Sequence, residues 1–141
     1  MHTPLLGRDI RMIDLAILAI LALRLFVSIV MIPHGVHKLQ IISIVNQKWH
    51  EEYGFPVGSV ALVGILQIVT GLAMIFGLYS RYAALIQTLI MLVATYVSIW
   101  RNREPFLSLP TGKGWDINLL MMGVFIALIL LGDGHWSLLS R

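Results

Sequence analysis

Four apolar runs, each near the length that crosses a bilayer, constrain this 141-residue chain more than any other feature. They are Ile13 to His37, Val57 to Tyr79, Arg81 to Trp100 and Trp115 to Leu131. About twenty helical residues cross a hydrocarbon core of roughly 30 Å, and inside lipid every backbone polar group must be satisfied within the segment. The expected fold class is therefore all-α, a polytopic membrane protein built as an antiparallel bundle of four transmembrane helices, with residues 1–141 as one domain. Composition agrees: 12% of residues are charged and 58% hydrophobic, and that charged share is about half what a soluble domain carries. The tight turn Gly77-Leu78-Tyr79-Ser80-Arg81 forces the second and third runs into a helical hairpin. The fourth run is the shortest, and Asp116 and Asn118 at its start predict that it begins in the interface or packs inside the bundle. Arg8 and Arg11 ahead of the first run imitate a secretory signal, but Arg24 interrupts that run and no small-x-small cleavage site follows, so a retained helix is expected.

The two longer connections fall at one end of the bundle. Residues 39–56 contain Lys48, Trp49, His50, Glu51, Glu52 and Tyr53, an amphipathic stretch suited to the headgroup level. Residues 101–114 are rich in Pro, Gly and Ser, and both connections meet at a mouth where a site is expected. Basic residues flank both sides: Arg8, Arg11, Arg81 and Arg141 on one, Lys38, Lys48, Arg101, Arg103 and Lys113 on the other. The positive-inside rule therefore does not choose strongly, and Arg8 and Arg11 tip the expectation to cytoplasmic termini in the inner membrane of a bacterial or archaeal cell. No basic cluster or basic-aromatic alternation points to nucleic acid. Cysteine is absent, which excludes disulfides, thiolate-held Fe–S clusters and covalently attached c-type haem. Any redox chemistry must use a bound cofactor or a partner.

Arg24 stands out, because a guanidinium in the middle of a spanning helix costs at least a few kcal/mol and needs a partner or a wet cavity. It serves either a site or a tie between helices. Lys38 lies within about 40° of the same helix face, and His34 is one turn from Lys38, so a cationic stripe climbs towards the mouth past Pro33, a point where the helix can kink. His34 and His37 have i,i+3 spacing but no carboxylate or thiolate to complete a ligand set, so no metal is expected. Gly64, Gln67, Thr70, Gly71 and Met74, and Ala84, Thr88, Met91, Thr95 and Ser98, form small or weakly polar stripes through which membrane helices approach each other. Gln67 is the exception with a second use, since a buried amide offers donor and acceptor to a carbonyl headgroup or to Arg24. Trp115 and Asp116 open the fourth helix, where an acid complements the helix dipole; at the mouth, Asp116 can also pair with His34 or Lys38. Asp133 to Trp136 read as an interfacial stop.

Taken in order, these segments resemble the DoxX family of small four-helix membrane proteins. The resemblance rests on Leu23-Arg24-Leu25, on His34-Gly35-Val36-His37-Lys38-Leu39, on Gly54-Phe55-Pro56, on Gly71 through Gly77-Leu78-Tyr79-Ser80-Arg81, and on Gly132-Asp133-Gly134-His135-Trp136-Ser137-Leu138. The chain departs from the family pattern where Gln67 and Asp116 replace glutamates. The resemblance implies a four-helix bundle associated with membrane redox systems, the named case being a subunit of thiosulfate:quinone oxidoreductase. A quinone is the implied cofactor. Apolar walls would take its tail, and Arg24, His34, Lys38 and Gln67 would hydrogen-bond its carbonyls, with Trp115 and Asp116 at the same mouth.

Two functions follow as expectations. In the first, the chain is the membrane subunit of a quinone-linked oxidoreductase, with Arg24 anchoring a pocket between the first, second and fourth helices and His34 donating or accepting the proton. Electrons come from a partner subunit or co-substrate. In the second, it is a non-catalytic accessory or assembly subunit that binds a partner protein or lipid, and Arg24 and Gln67 are structural ties. Both leave room for a homo-oligomer. A small transporter is disfavoured, since there is neither an internal repeat nor a pair of broken helices.

Overall fold

Lipid competes for apolar surface as well as another helix does, so small residues and polar bonds decide how membrane helices meet. The computed structural model describes residues 4–110 and 112–132, with side chains from Asp14 onward. The closing motif and interfacial stop expected at 133–138 lie outside the described residues. In chain order the elements are α1 (Pro4–Gln40), α2 (Ile42–Glu51), α3 (Ser59–Phe76), α4 (Ser80–Tyr96), which continues into one π-helical turn (Val97–Arg101), and α5 (Asp116–Leu131). The expected all-α antiparallel bundle is present. Segments 14–40, 59–76 and 80–101 are long and apolar enough to cross a membrane. With 16 residues, α5 rises only about 24 Å, so it is the short member, as Asp116 and Asn118 suggest.

The first helix runs past the expected Ile13 and His37 at both ends and carries Pro33 within it. Proline lacks the N–H that would bond back to Ile29, and membrane helices tolerate this because neighbours compensate. Residues 42–51, expected to lie at the headgroup level, form the separate amphipathic helix α2, which buries no residue.

Around the bundle, α1 packs most closely on α3, α3 turns into α4, α4 packs on α5, and α5 closes lightly back on α1. The first contact depends on glycines. A Cβ added at Gly35 would lie 2.6 Å from the carbonyl oxygen of Gly64, and one at Gly71 would lie 2.7 Å from Ile32 Cγ1. No side chain fits between the two backbones there. The core that fills the centre is rich in methionine: Met31, Met74, Met91 and Met121 pack with Phe125 and Leu128. The α3–α4 turn is made by Gly77 and Tyr79, both left-handed at φ 69° and 49°.

Candidate functional site

Polar side chains along the α1–α3 seam form two groups at opposite ends. At the hairpin end, Arg24 is 1% exposed. Its Nε donates to Met74 O at 2.7 Å and an Nη to Ile75 O at 3.2 Å. Those carbonyls belong to the last turn of α3, which carries the negative end of its dipole, and Met74 O also accepts from Gly77 N at 3.2 Å. Part of Arg24's charge is therefore met by a helix terminus. Ser28, one turn on, donates to Arg24 O at 2.7 Å and lies 2.9 Å from Gly71 O. The guanidinium of Arg81 lies beside Gly132, at the end of α5.

At the mouth end, Lys38 Nζ donates to Gln67 Oε1 at 3.0 Å. Gln67, 1% exposed, turns its amide nitrogen to Met31 Sδ at 3.7 Å. Gln87 of α4 donates to Thr70 Oγ1 at 2.6 Å and to Gln67 O at 3.4 Å. Among the described residues the one ion pair is the exposed Lys48–Glu52, so Lys38 is held by a neutral amide.

Lys38 also lines a cavity of about 450 Å³. Val63 of α3 and Leu89, Ile90, Val93, Ala94 and Val97 of α4 make its apolar wall; Ser98, Asn102, Glu104, Lys113 and Asn118 make its polar end; Trp49 and Tyr53 complete it. The volume is within the range of small-molecule sites. The π-helical turn helps to shape it, because Ser98 and Asn102 come from that turn and its end, and such turns recur at functional sites.

These positions correct several expectations. The cavity lies along α4 and its π-helical turn, with α1, α3 and α5 contributing one residue each, whereas the pocket was expected between the first, second and fourth helices. Of the expected site residues Lys38 lines it, and Gln67 stands behind as its hydrogen-bond acceptor. Arg24 is fourteen residues below Lys38, about 21 Å along the helix axis, and is occupied with α3. His34 is exposed and outside the lining. Asp116 does not pair with His34 or Lys38. Its carboxylate accepts from Ser108 N at 3.1 Å, Ser108 Oγ at 2.7 Å and Ile117 N at 2.9 Å, closing the 108–116 loop. Trp115 packs edge-on against Phe106 with centroids 4.6 Å apart, and it too stays outside the cavity. Among the described residues no third His, Asp or Glu joins His34 and His37.

Lys113, Ser98, Asn102, Asn118 and Tyr53 line the cavity without having been read as site residues. Lys113 alone carried a usable signal, as a cation between two glycines in the loop expected to share the mouth with Lys38.

An antiparallel bundle of apolar helices, with an amphipathic helix and a polar-ended cavity at one mouth, defines a small polytopic membrane protein. The DoxX family model matches residues 19–100, more than half of the chain, and the chain belongs to the DoxX family. No curated protein and no solved structure matches it.

Proposed function

We propose that this protein is the membrane subunit of a quinone-linked oxidoreductase, and that the headgroup binds at the Lys38 end of the cavity. The observation that carries this reading is Lys38 itself: a half-buried ammonium, held by a neutral amide and facing a cavity whose other wall is apolar. A group with electron-rich oxygens at one end and a hydrocarbon chain at the other matches that polarity. The residue types fit, since Lys38, Lys113, Asn118 and Ser98 line the same cavity and carry N–H or O–H groups that quinone carbonyls can accept from, while the Glu104 carboxylate at that end is bonded to Asn102.

When bound, a quinone would supply the two-electron chemistry that the side chains lack. The chain's own residues would bind and orient: Lys38 and Lys113 from two sides, Gln67 holding Lys38 in place, Val93 and Val97 keeping water from the apolar part. His34, one turn below Lys38 and outside the wall, is removed from headgroup contact. With no cysteine in the chain, electrons would come from a partner subunit or co-substrate.

The test is small-molecule mass spectrometry of protein purified in mild detergent, with titration of a ubiquinone analogue. Co-purified quinone and binding that weakens in Lys38→Met support the reading. A protein that carries no quinone and binds no analogue refutes it. The second reading, an accessory subunit for a partner protein or lipid, draws on the shallow depression between α1 and α5, where Leu23, Leu120, Val124 and Ala127 surround Gly123. A partner that co-purifies and is lost on Gly123→Leu, with quinone absent, would favour it.

A further inference from the structure

The cavity has two sides of opposite character, and the difference bears on how it is filled. On the water side, α2 is stitched to the end of α4. Tyr53 Oη donates to Asn102 Oδ1 at 2.7 Å, Arg101 Nη2 to Glu52 O at 2.9 Å, and Asn102 Nδ2 to Glu104 Oε1 at 3.0 Å. Tyr53, Asn102 and Glu104 are themselves cavity residues, so these bonds form a polar roof, at whose margin Asn102 and Lys113 stay exposed.

On the membrane side there is no such closure. The hydrogen bonds of Gln87 to Thr70 and Gln67 are the last that join α3 to α4 before the mouth among the described residues. Above them the wall is Val63 on one helix and Leu89, Val93 and Val97 on the other. Leu89 and Val93 line the cavity while remaining 56% and 41% exposed on the outer face of a membrane-spanning helix. The cavity therefore reaches the lipid-facing surface through an apolar window.

We propose that the cavity is loaded sideways from the bilayer, by a lipid-soluble ligand that passes between α3 and α4 and brings its polar head to Lys38 and Lys113 under the α2 roof. A water-soluble ligand would have no use for the apolar lining that Leu89 and Val93 carry to the outer face of the helix. The proposal deepens the quinone reading, on which it rests only for the ligand's identity.

The absence of cysteine makes single-cysteine labels unique. In phosphatidylcholine nanodiscs, a nitroxide on Ala94→Cys, and independently on Val93→Cys, is expected to collide several-fold more with oxygen, which concentrates in lipid, than with a water-soluble nickel chelate. A nitroxide on Lys113→Cys should show the reverse order. Nickel collisions dominating at both 93 and 94 would overturn the proposal, whatever the ligand.

The second arm is Ala94→Trp, which narrows the window. We expect about a tenfold or greater loss of affinity for a long-tailed ubiquinone and a change within about twofold for a tail-less analogue. Equal loss for both, or none for either, overturns lateral loading. Wild-type protein that binds neither analogue refutes the quinone reading, and the nitroxide collisions then decide the route by themselves.

Discussion

Two buried or half-buried cations on one helix do different work, and the difference lies in what each faces. Arg24 faces the C-terminal carbonyls of α3, two fixed acceptors at hydrogen-bond distance. Lys38 faces one neutral amide and a cavity. Different outcomes are expected on neutralising them. Arg24→Met should lower stability by roughly 2–4 kcal/mol, the worth of two charge-assisted hydrogen bonds and the terminus they satisfy, while the protein that remains folded binds a quinone analogue as before. Lys38→Met should cost about 1–2 kcal/mol, because it leaves the buried Gln67 Oε1 without its donor, and weaken analogue binding by about tenfold, the equivalent of one good hydrogen bond from a charged donor. Unfolding curves and titrations on the same two preparations separate the roles, and the reverse pattern would place the site at Arg24. The sequence made Arg24 conspicuous but not its partner. Backbone carbonyls exist at every residue, so no side-chain pattern announces that those of Met74 and Ile75 meet Arg24 from fifty residues away.

At the scale of elements, the register of α1 on α3 places Lys38 against Gln67, and glycine sets that register. Gly35→Ala puts a methyl 2.6 Å from the Gly64 carbonyl oxygen, a clash with backbone that no rotamer relieves. About 1–3 kcal/mol of destabilisation is expected, as for other overpacked contacts. Detergent melting of Gly35→Ala beside Gly123→Ala gives the check, because a Cβ at Gly123 meets nothing within 4 Å and should cost little. The amphipathic helix α2 gives a second prediction. Tyr53→Phe removes one roof bond and should raise the reactivity of a label at the buried cavity position Ser98→Cys towards a water-soluble maleimide, with little change in stability because the bond is exposed. Amphipathic character in residues 42–51 and the hairpin at 77–81 were both legible, since each depends on local periodicity and turn chemistry. The π-helical turn at 97–101 was not, because nothing in Val97-Ser98-Ile99-Trp100-Arg101 differs from an ordinary helical run.

For the whole molecule, the mouth with its cavity lies at the opposite end of the bundle from the α3–α4 hairpin. If the termini are cytoplasmic, as Arg8 and Arg11 suggest, the mouth opens on the outer side. An impermeant maleimide should then label Lys113→Cys in intact cells and leave Tyr79→Cys in the hairpin unlabelled; labelling confined to Tyr79→Cys would invert the orientation. Hydropathy and length were enough to read the class, the apolar segments, the hairpin and a shared mouth, because lipid imposes those features on each segment separately. The cavity was a different matter. Its wall draws on α3 and α4, its polar end on α1, α5 and the 102–114 loop, and Asp116 was drawn off by Ser108 rather than by a cation across the bundle. Spanning a membrane is a property of one helix and its solvent, so it is written in a contiguous stretch of residues. A site assembled from six segments, α2 among them, depends on which helix faces turn together, and that follows from glycine contacts and long-range hydrogen bonds that exist once the bundle has packed.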